Sequence, residues 1–341
     1  MKYFCLFFSF LFSSFVFSQN SISGIVLDEN KNPLPGASIY FDGTTFSTVS
    51  NEDGKFNLYY TTKSNSLLAI SYIGYETQYL KNTDNVSDLS IQLKEANNAL
   101  QEVIVTKKDR FSRAQKLKIF REQFIGKTKN SKKMTILNED QLILSYNEIT
   151  NILYARCYEP LVIRNEALGY KLNYELVNFE VKFNSLSIHP EDAIRSYYAG
   201  LCRFEETQSD EKIAKLRSKA YLGSQMHFFR NMANSIWGKE NFLLIKGKLQ
   251  DIPSNNFTVT DDGEFKKVRV TDQADKRYEN NFRAKFIVLF NRDEQSSIYF
   301  ETDTFYVDKF GNNSDIDKII FSGAMANSKV GDMLPLNYGL E

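Results

Sequence analysis

The sequence predicts a mostly β protein of the α+β class: a small amino-terminal β-sandwich, then a larger antiparallel-sheet domain with a few helices. Apolar residues alternate with polar ones along most of the chain, which is the pattern of half-buried strands. Phe and Tyr are abundant, at 28 and 19 of 341 residues, and both favour strands. Helical spacing of apolar residues is confined to a few short stretches, so helices are expected to be the minority.

The first 18 residues have the pattern of an export signal. Lys2 supplies the positive charge, Phe4 to Phe17 is apolar apart from serines, and Ser18 precedes the expected cleavage at Gln19. This apolar run is too short to anchor a helix across a bilayer, so we expect residues 1–18 to be removed. No later stretch reaches about 18 apolar residues, and no transmembrane span is expected in the mature chain.

Residues 19–106 have the pattern of a seven-strand β-sandwich. Period-two alternation begins at Ile22–Val26 and ends at Leu89–Leu93, with turn residues between the intervening short strands. The run Asn51–Gly54 predicts a hairpin turn, because Asp-Gly tolerates the positive φ that a tight turn needs.

This stretch resembles the carboxypeptidase-regulatory-like domain through three phrases: SGIVLDENKNPLPGASIYFDGTTFSTVSNEDGKF, ISYIGYETQ and LKEANNALQEVIV. The resemblance implies a transthyretin-like sandwich without catalytic residues of its own. Such domains also begin many TonB-dependent outer-membrane receptors, where a plug and a large barrel follow. About 235 residues follow Thr106 here, too few for such a barrel at roughly 10 residues per strand plus turns, so we do not expect a receptor.

The segment 107–133 is predicted to be a basic, amphipathic helix and junction. It carries 11 Lys or Arg residues against two acidic ones, and Leu117, Phe120 and Phe124 recur at helical spacing after a candidate N-cap at Ser112. The apolar stripe indicates either contact of Lys107 to Lys133 with an anionic membrane surface or packing on the protein's own core. The second interpretation is favoured because the stripe is narrow.

Residues 134–341 are predicted to form the α+β domain. The alternation changes face near Val177 without a turn signal, which predicts a β-bulge there. Apolar spacing predicts helices over about 210–220 and 222–236, separated by Gly223 and capped by Ser224. Residues 255–263 and 309–316 are expected to be loops, and Ile298–Val307 a single strand.

Three phrases of this region also resemble a family of exported proteins that carry the same sandwich: AYLGSQMHFFRNMAN, DRFSRAQKLKIFREQFIG and NEALGYKLNYELVNF. With them the resemblance extends over most of the mature chain. It implies the architecture and an exported location, and it implies no particular activity.

Composition excludes some functions and leaves others open. The formal net charge is zero, so there is no global electrostatic basis for binding nucleic acid. Two histidines, His189 and His227, are too few for the usual catalytic zinc site, and no phosphate-loop or nucleophile-elbow motif occurs. Cys157 and Cys202 remain after removal of the signal, either as a disulfide or as two buried thiols.

The most distinct polar constellation is Ser224, His227 and Arg230, which share one flank of a predicted helix. They are weak candidates for contact with an anion or a partner, and capping and hydrogen bonding to neighbouring loops is the favoured interpretation. No cofactor is predicted. Ca²⁺ binding at the Asp-rich turns (Asp28, Asn30 and Asn32, or Asn51 and Asp53) is the less favoured alternative to ordinary turn chemistry.

These observations favour a non-enzymatic protein of the periplasm, associated with the outer membrane and accessory to a transport or assembly complex there. One alternative is an envelope hydrolase of glycan or peptide that uses a carboxylate pair in the second domain. Another alternative is a carbohydrate-binding module, which would have a flat row of exposed Tyr and Trp side chains. The single tryptophan, Trp237, lies at a predicted helix end, which argues against this alternative.

Overall fold

The computed structural model describes residues 20–61, 66–81, 88–96, 110–246, 249–271 and 283–340. The predicted export signal at 1–18 and residues 107–109 of the basic segment lie outside these ranges. Two compact units are present. The amino-terminal unit takes in the described parts of Met1–Tyr40 and Phe46–Ala96, and the carboxy-terminal unit takes in Phe41–Thr45 and the described part of Asn97–Leu340.

Among the described residues, seven strands form two sheets at the amino-terminal end of the chain, as the sequence predicts. In chain order they are β1 (Asn20–Leu27), β2 (Ser38–Phe41), β3 (Ser47–Val49), β4 (Lys55–Tyr60), β5 (Leu68–Ser71), β6 (Gln78–Leu80) and β7 (Leu89–Gln92). One sheet has the order β4-β1-β7 and the other β3-β2-β5-β6. The predicted β-sandwich is therefore confirmed.

The core of this sandwich follows from the alternation in β4 and β1. Phe56 and Leu58 of β4 are buried, as are Ile22 and Val26 of β1, while the intervening residues of β4 are exposed. Strand β1 pairs in parallel with β7, and a Cβ on Gly24 would lie 2.3 Å from the carbonyl oxygen of Leu89. Glycine at this position thus permits the close approach of the two strands.

The prediction of a hairpin at Asn51–Gly54 is wrong in one respect, the pairing of its two strands. The turn itself forms: the Gly54 N–H donates to the Asn51 carbonyl at 2.9 Å, and Gly54 has a φ of 74°. However, β3 pairs with β2 and β4 pairs with β1, so the turn carries the chain from one sheet to the other. A turn motif reports local backbone geometry and not the pairing partner of the strand that follows.

The carboxy-terminal unit contains fourteen strands among its described residues. They are β8 (Met134–Ile136), β9 (Ile143–Asn147), β10 (Ile152–Arg156), β11 (Leu161–Asn165), β12 (Tyr170–Phe183), β13 (Ala193–Glu206), β14 (Phe242–Lys246), β15 (Leu249–Gln250), β16 (Phe257–Asp262), β17 (Phe265–Val270), β18 (Ala284–Phe290), β19 (Glu294–Phe300), β20 (Thr304–Asp308) and β21 (Ile319–Gly323).

Four α-helices accompany them in the described residues. They are α1 (Arg113–Phe120), α2 (Glu211–Tyr221), α3 (Gln225–Ala233) and α4 (Ala324–Asn327). A π-helical turn, Arg121–Ile125, extends α1, and five short 3₁₀ turns occur at Ser131–Lys133, Glu139–Gln141, Pro190–Asp192, Pro253–Asn255 and Val330–Asp332. No helix among the described residues is long and apolar enough to cross a membrane.

The described strands of this unit form three antiparallel sheets. The first contains β8-β11-β12-β10-β9, with β13 on the other side of β12. The second has the order β15-β14-β18-β19-β21 and the third β16-β17-β20. The strong strand content and the few helices confirm the predicted fold class.

The long strand β12 contains the predicted bulge. Leu176 pairs with Gly200 and Asn178 pairs with Ala199, so Val177 has no partner in the ladder. Buried positions before it (Tyr170, Leu172, Tyr174, Leu176) and after it (Phe179, Val181, Phe183) consequently stay on one face, although their spacing changes parity. Val177 itself is 66% exposed, and the bulge near it is confirmed.

Helix α1 and its π-helical turn cover the buried face of this first sheet. Ser112 is the N-cap of α1, as the sequence predicts, and it forms a capping box with Gln115. Phe120 contacts Phe179 with ring centroids 4.8 Å apart, and Phe124 contacts Tyr174 at 5.0 Å. The apolar stripe of the basic segment therefore packs on the protein's own core.

The second and third sheets share a separate hydrophobic core. Phe228, Phe229 and Met232 of α3 pack there with residues of β14, β17, β18, β19 and β20. Two sequence predictions for this region are wrong. Residues 257–262 of the expected loop 255–263 form β16, and Ile298–Val307 is divided between β19 and β20, which belong to different sheets.

Candidate functional site

Helix α3 holds the three candidate residues of the sequence analysis. Ser224 is its N-cap, with the side-chain oxygen accepting the N–H of His227 at 3.1 Å. The preceding residue, Gly223, has a φ of 77°, and its N–H donates to Nδ1 of His227 at 3.2 Å. The predicted break between α2 and α3 is confirmed, and His227 makes a hydrogen bond to each of its two residues, Gly223 and Ser224.

The imidazole of His227 is buried among aromatic rings. Its centroid lies 4.9 Å from those of Tyr221 and Phe242 and 5.5 Å from that of Phe290. Burial, followed by the charge of Arg230, lowers the pKa of His227 to about 4. A neutral, buried histidine with its Nδ1 already accepting a hydrogen bond is suited to packing rather than to anion binding.

Arg230 is also buried, and its guanidinium donates hydrogen bonds to three backbone carbonyls. Nε donates to Phe310 O at 3.0 Å, Nη1 to Tyr338 O at 2.8 Å and Nη2 to Leu336 O at 2.7 Å. These bonds fasten the carboxy-terminal residues to α3. An anion would have to displace these hydrogen bonds. Arg230 therefore binds neighbouring loops, which is the interpretation favoured from the sequence.

A cavity of about 190 Å³ lies at the amino-terminal end of α3. It is lined by Tyr198, Ala220, Ser224, Gln225, Met226, Ser328, Lys329, Asp332, Met333 and Leu334. Of the three predicted site residues only Ser224 borders it. The structure therefore does not bring Ser224, His227 and Arg230 together at one opening.

Lys329 and Asp332 are the charged residues of this cavity, and the sequence analysis singled out neither. Burial lowers the pKa of Lys329 and raises that of Asp332. Oδ1 of Asp332 accepts from Asn130 at 2.8 Å and from Thr128 at 3.1 Å, whereas its Oδ2 is buried without a hydrogen-bond partner among the described residues. No local motif marks these residues, since the cavity assembles from distant parts of the chain.

A second, larger depression of about 630 Å³ is lined only by residues of α2 and its N-cap, from Asp210 to Lys219. Because one helix supplies all of its walls, it is an open groove along a charged surface. It has no convergent polar groups of the kind that orient a small ligand.

In the Asp-rich turns, the side-chain oxygens of Asp28 and Asn51 accept hydrogen bonds from residues of the same turn. Both carboxylate oxygens of Asp28 accept hydrogen bonds, Oδ1 from the N–H groups of Asn30 and Asn32 and Oδ2 from the Asn32 side chain. Oδ1 of Asn51 accepts from the N–H groups of Asp53 and Lys55. Among the described residues, no group of three or more His, Cys, Asp or Glu side chains is placed to hold a metal ion.

The cysteines and the tryptophan are part of the packing. Cys157 and Cys202 are free thiols, and burial raises the pKa of both. Trp237 stacks on Phe257 with centroids 6.0 Å apart and planes at 4°, and its edge meets Phe228. A ring packed in this way is not part of a flat exposed row for sugar binding.

Some basic residues of the segment 107–133 bind backbone carbonyls of the protein, and others face solvent. Arg113 and Lys116 donate to the carbonyls of Leu142 and Leu144, so their charges point to the protein. Lys127, Lys129, Lys132 and Lys133 are exposed.

The amino-terminal sandwich matches a known family. Residues 22–105 match the family model of the CarboxypepD_reg-like domain. The resemblance inferred from the sequence is thereby confirmed for the CarboxypepD_reg-like module, which is about a quarter of the chain.

Curated relatives share the same short region. The chain is 33% identical over 87 residues to the TonB-dependent receptor SusC of Bacteroides thetaiotaomicron, which is 26% of this chain and 8% of that protein. It is 35% identical over 100 residues to the TonB-dependent receptor P39 of Formosa agariphila, 28% of this chain and 9% of the relative. The chain thus spans less than a tenth of the length of these relatives.

Solved structures give weaker similarities. A DUF3823 family protein from Bacteroides ovatus aligns with 86% of this chain and 100% of its own, at 8% identity and a TM-score of 0.18. A type II cohesin–X-dockerin complex from Acetivibrio cellulolyticus covers 22% of this chain and 57% of its own, at 20% identity and a TM-score of 0.20. TM-scores this low support no inference about function.

Proposed function

We propose that the protein is an exported binding or adaptor protein of the cell envelope that acts beside an outer-membrane transport complex. The observation that carries the proposal is the CarboxypepD_reg-like module and its 33% identity over 87 residues to a TonB-dependent receptor. The export pattern of residues 1–18 supports the same location. In this proposal the module supplies the contact with the transport complex.

A binding role is also supported by the surface of the module rather than by the polar candidates of helix α3. The side chains of Ser224, His227 and Arg230 make their hydrogen bonds within the protein. The module, in contrast, presents apolar side chains to solvent: Ile73 is 89% exposed at a turn, and Tyr59 is 59% exposed on the outer side of β4. Exposed apolar and aromatic groups are typical contacts of protein interfaces.

Site-specific photocrosslinking in cells tests the proposal. A crosslinker at position 73 should capture a TonB-dependent receptor-type protein, identified by mass spectrometry, and Ile73→Asp should weaken its co-purification. Ile149, a 94% exposed isoleucine in a turn of the carboxy-terminal unit, gives the matched control. Ile149→Asp should co-purify as the wild type does. Crosslinks that contain no outer-membrane protein would contradict the proposal.

An envelope hydrolase is a second candidate, and one observation favours it. Burial raises the pKa of Asp42 to about 6, with a smaller contribution from the nearby charge of Glu175, and a raised carboxyl pKa is a property of general acids. Asp42 borders neither of the two cavities described above, and its Oδ1 accepts the N–H of Cys202 at 2.7 Å. Turnover of a glycan or peptide that Asp42→Asn abolishes would favour the hydrolase.

A further inference from the structure

Lys329 is half-buried and lines the cavity of about 190 Å³ at the start of α3. Its Nζ lies 5.9 Å from the centroid of the Tyr198 ring, and no carboxylate pairs with it among the described residues. A half-buried cation without a counter-ion is disfavoured, because partial desolvation opposes its charge. A titratable group that burial perturbs and that borders a cavity is a candidate for binding a ligand.

The stem of Lys329 is held in place. Gly126 has a φ of 97°, and a Cβ added to it would come within 3.3 Å of Cβ and 3.5 Å of Cγ of Lys329. A side chain at position 126 would therefore push the lysine away. Close packing at Cβ and Cγ restricts the first part of the stem, and so reduces part of the ordering cost of binding a ligand.

Other residues define the chemistry of the cavity. The phenol of Tyr198, whose pKa burial raises to about 12, is a neutral donor and has no hydrogen-bond partner among the described residues. Burial raises the pKa of Asp332, whose Oδ1 accepts hydrogen bonds from Asn130 and Thr128, and no ion pair joins it to Lys329 among the described residues. Met226, Met333 and Leu334 form an apolar wall.

Size limits the ligand further. Sites for drug-sized molecules have volumes of roughly 300–1,000 Å³, so a cavity of about 190 Å³ suits a smaller ligand. A single unpaired cation suits one negative charge, and the apolar wall suits a short hydrocarbon group. A planar carboxylate can accept from an ammonium and a phenol at once.

We infer that this cavity binds a small monocarboxylate with a short apolar body, with Lys329 and Tyr198 holding the carboxylate. Such a group occurs in short free acids and at the carboxyl end of peptides with an apolar last residue. The inference concerns the carboxy-terminal unit alone and is independent of the proposed contact through the CarboxypepD_reg-like module.

Isothermal titration calorimetry on the full chain at pH 7 tests the site. Hexanoate stands for free acids and N-acetyl-leucine for a peptide end, while hexanamide and N-acetyl-leucinamide are their neutral counterparts. We expect saturable binding of at least one acid and weaker binding of its amide, and the acid that binds identifies the source. Absence of binding by both acids, or equal binding of acid and amide, overturns the inference.

Three variants give the roles of the residues. Lys329→Met should raise the dissociation constant roughly 10- to 100-fold, since a charged hydrogen bond is lost, and Lys329→Arg should retain part of the affinity. Tyr198→Phe should cause a smaller rise. Lys212→Met, an exposed lysine on α2, is the matched control and should bind as the wild type does.

A stability measurement separates a ligand-binding lysine from a structural one. If Lys329 is kept for a ligand, Lys329→Met should melt at a higher temperature than the wild type in the absence of ligand, because an unpaired, half-buried charge is removed. Lys212→Met should melt with the wild type. A lower melting temperature of Lys329→Met, or unchanged affinity for the acid, would overturn the inference.

Discussion

Two buried ionisable residues of the carboxy-terminal unit respond to pH in opposite directions. Burial raises the pKa of the Asp42 carboxyl from 3.8 to about 6 and lowers the pKa of His227 from 6.5 to about 4. In both cases desolvation disfavours the charged form. His227 was a candidate from the sequence and Asp42 was not, because burial depends on contacts that the local pattern does not contain.

Asp42→Asn is expected to stabilise the protein at pH 7. Between about pH 4 and 6 the folded state retains the Asp42 proton that the unfolded chain loses, so the free energy of unfolding falls as pH rises. The full effect is about 3 kcal/mol at about 1.4 kcal/mol per pKa unit, and a buried amide offsets part of it. Urea unfolding followed by Trp237 fluorescence should show a gain of about 1–2 kcal/mol at pH 7. A loss would mean that the ionised carboxylate is needed by the Cys202 N–H.

His227→Gln is expected to change the pH dependence in the opposite sense. As pH falls from 6.5 towards 4, the unfolded chain takes up the His227 proton and the folded state does not, so the wild type loses stability. This loss is about 3 kcal/mol at most and opposes the Asp42 effect over the same window. The wild-type profile should therefore be flatter than that of either variant in urea titrations from pH 4 to 7. Parallel profiles for all three proteins would contradict the assignment.

Helix caps and the strand bulge show what can be predicted at the scale of the element. Ser112 and Ser224 are N-caps as the sequence predicts, because a cap is a contact between residues three apart. The bulge at Val177 was predictable because one extra residue reverses the parity of the alternation. Which strands share a sheet was not, as the turn at Asn51–Gly54 shows, since pairing involves residues distant in sequence.

Deletion of Val177 should destroy the first sheet of the carboxy-terminal unit. Without the extra residue, either Tyr170–Leu176 or Phe179–Phe183 must turn its buried side chains to the other face of β12. We expect loss of soluble, cooperatively folding protein. Val177→Ala is the control and should change stability by less than about 0.5 kcal/mol, because the side chain is 66% exposed. A deletion variant that folds with near wild-type stability would contradict the role of the bulge.

At the scale of the whole molecule, the chain has two compact units and the larger one has two hydrophobic cores. Helix α3 lies at both: Met226 packs against the core of the first sheet, and Phe228 and Phe229 belong to the second core. The sequence predicted one antiparallel-sheet domain here without its division into three sheets. Alternation identifies a buried face but not the core to which that face belongs.

Substitutions in the two cores test whether the larger unit unfolds as one body. Phe179→Ala and Phe286→Ala each remove a fully buried ring, one from each core, and should each cost about 3–5 kcal/mol. Trp237 lies against the second core and is the only tryptophan. Its fluorescence midpoint in urea should shift for both variants if the cores unfold together. A shift only for Phe286→Ala would show that they unfold independently.

The sequence by itself determined the predominance of strands, the sandwich at the amino-terminal end, the helix caps and the bulge in β12. Each of these depends on residues within one turn or one strand, where sterics and side-chain period act directly. Only the tertiary structure decided the partners of the strands, the burial of Asp42 and His227, and the approach of Lys329 to Tyr198. Those features depend on which distant segments exclude water from one another, and desolvation has no signature in local sequence.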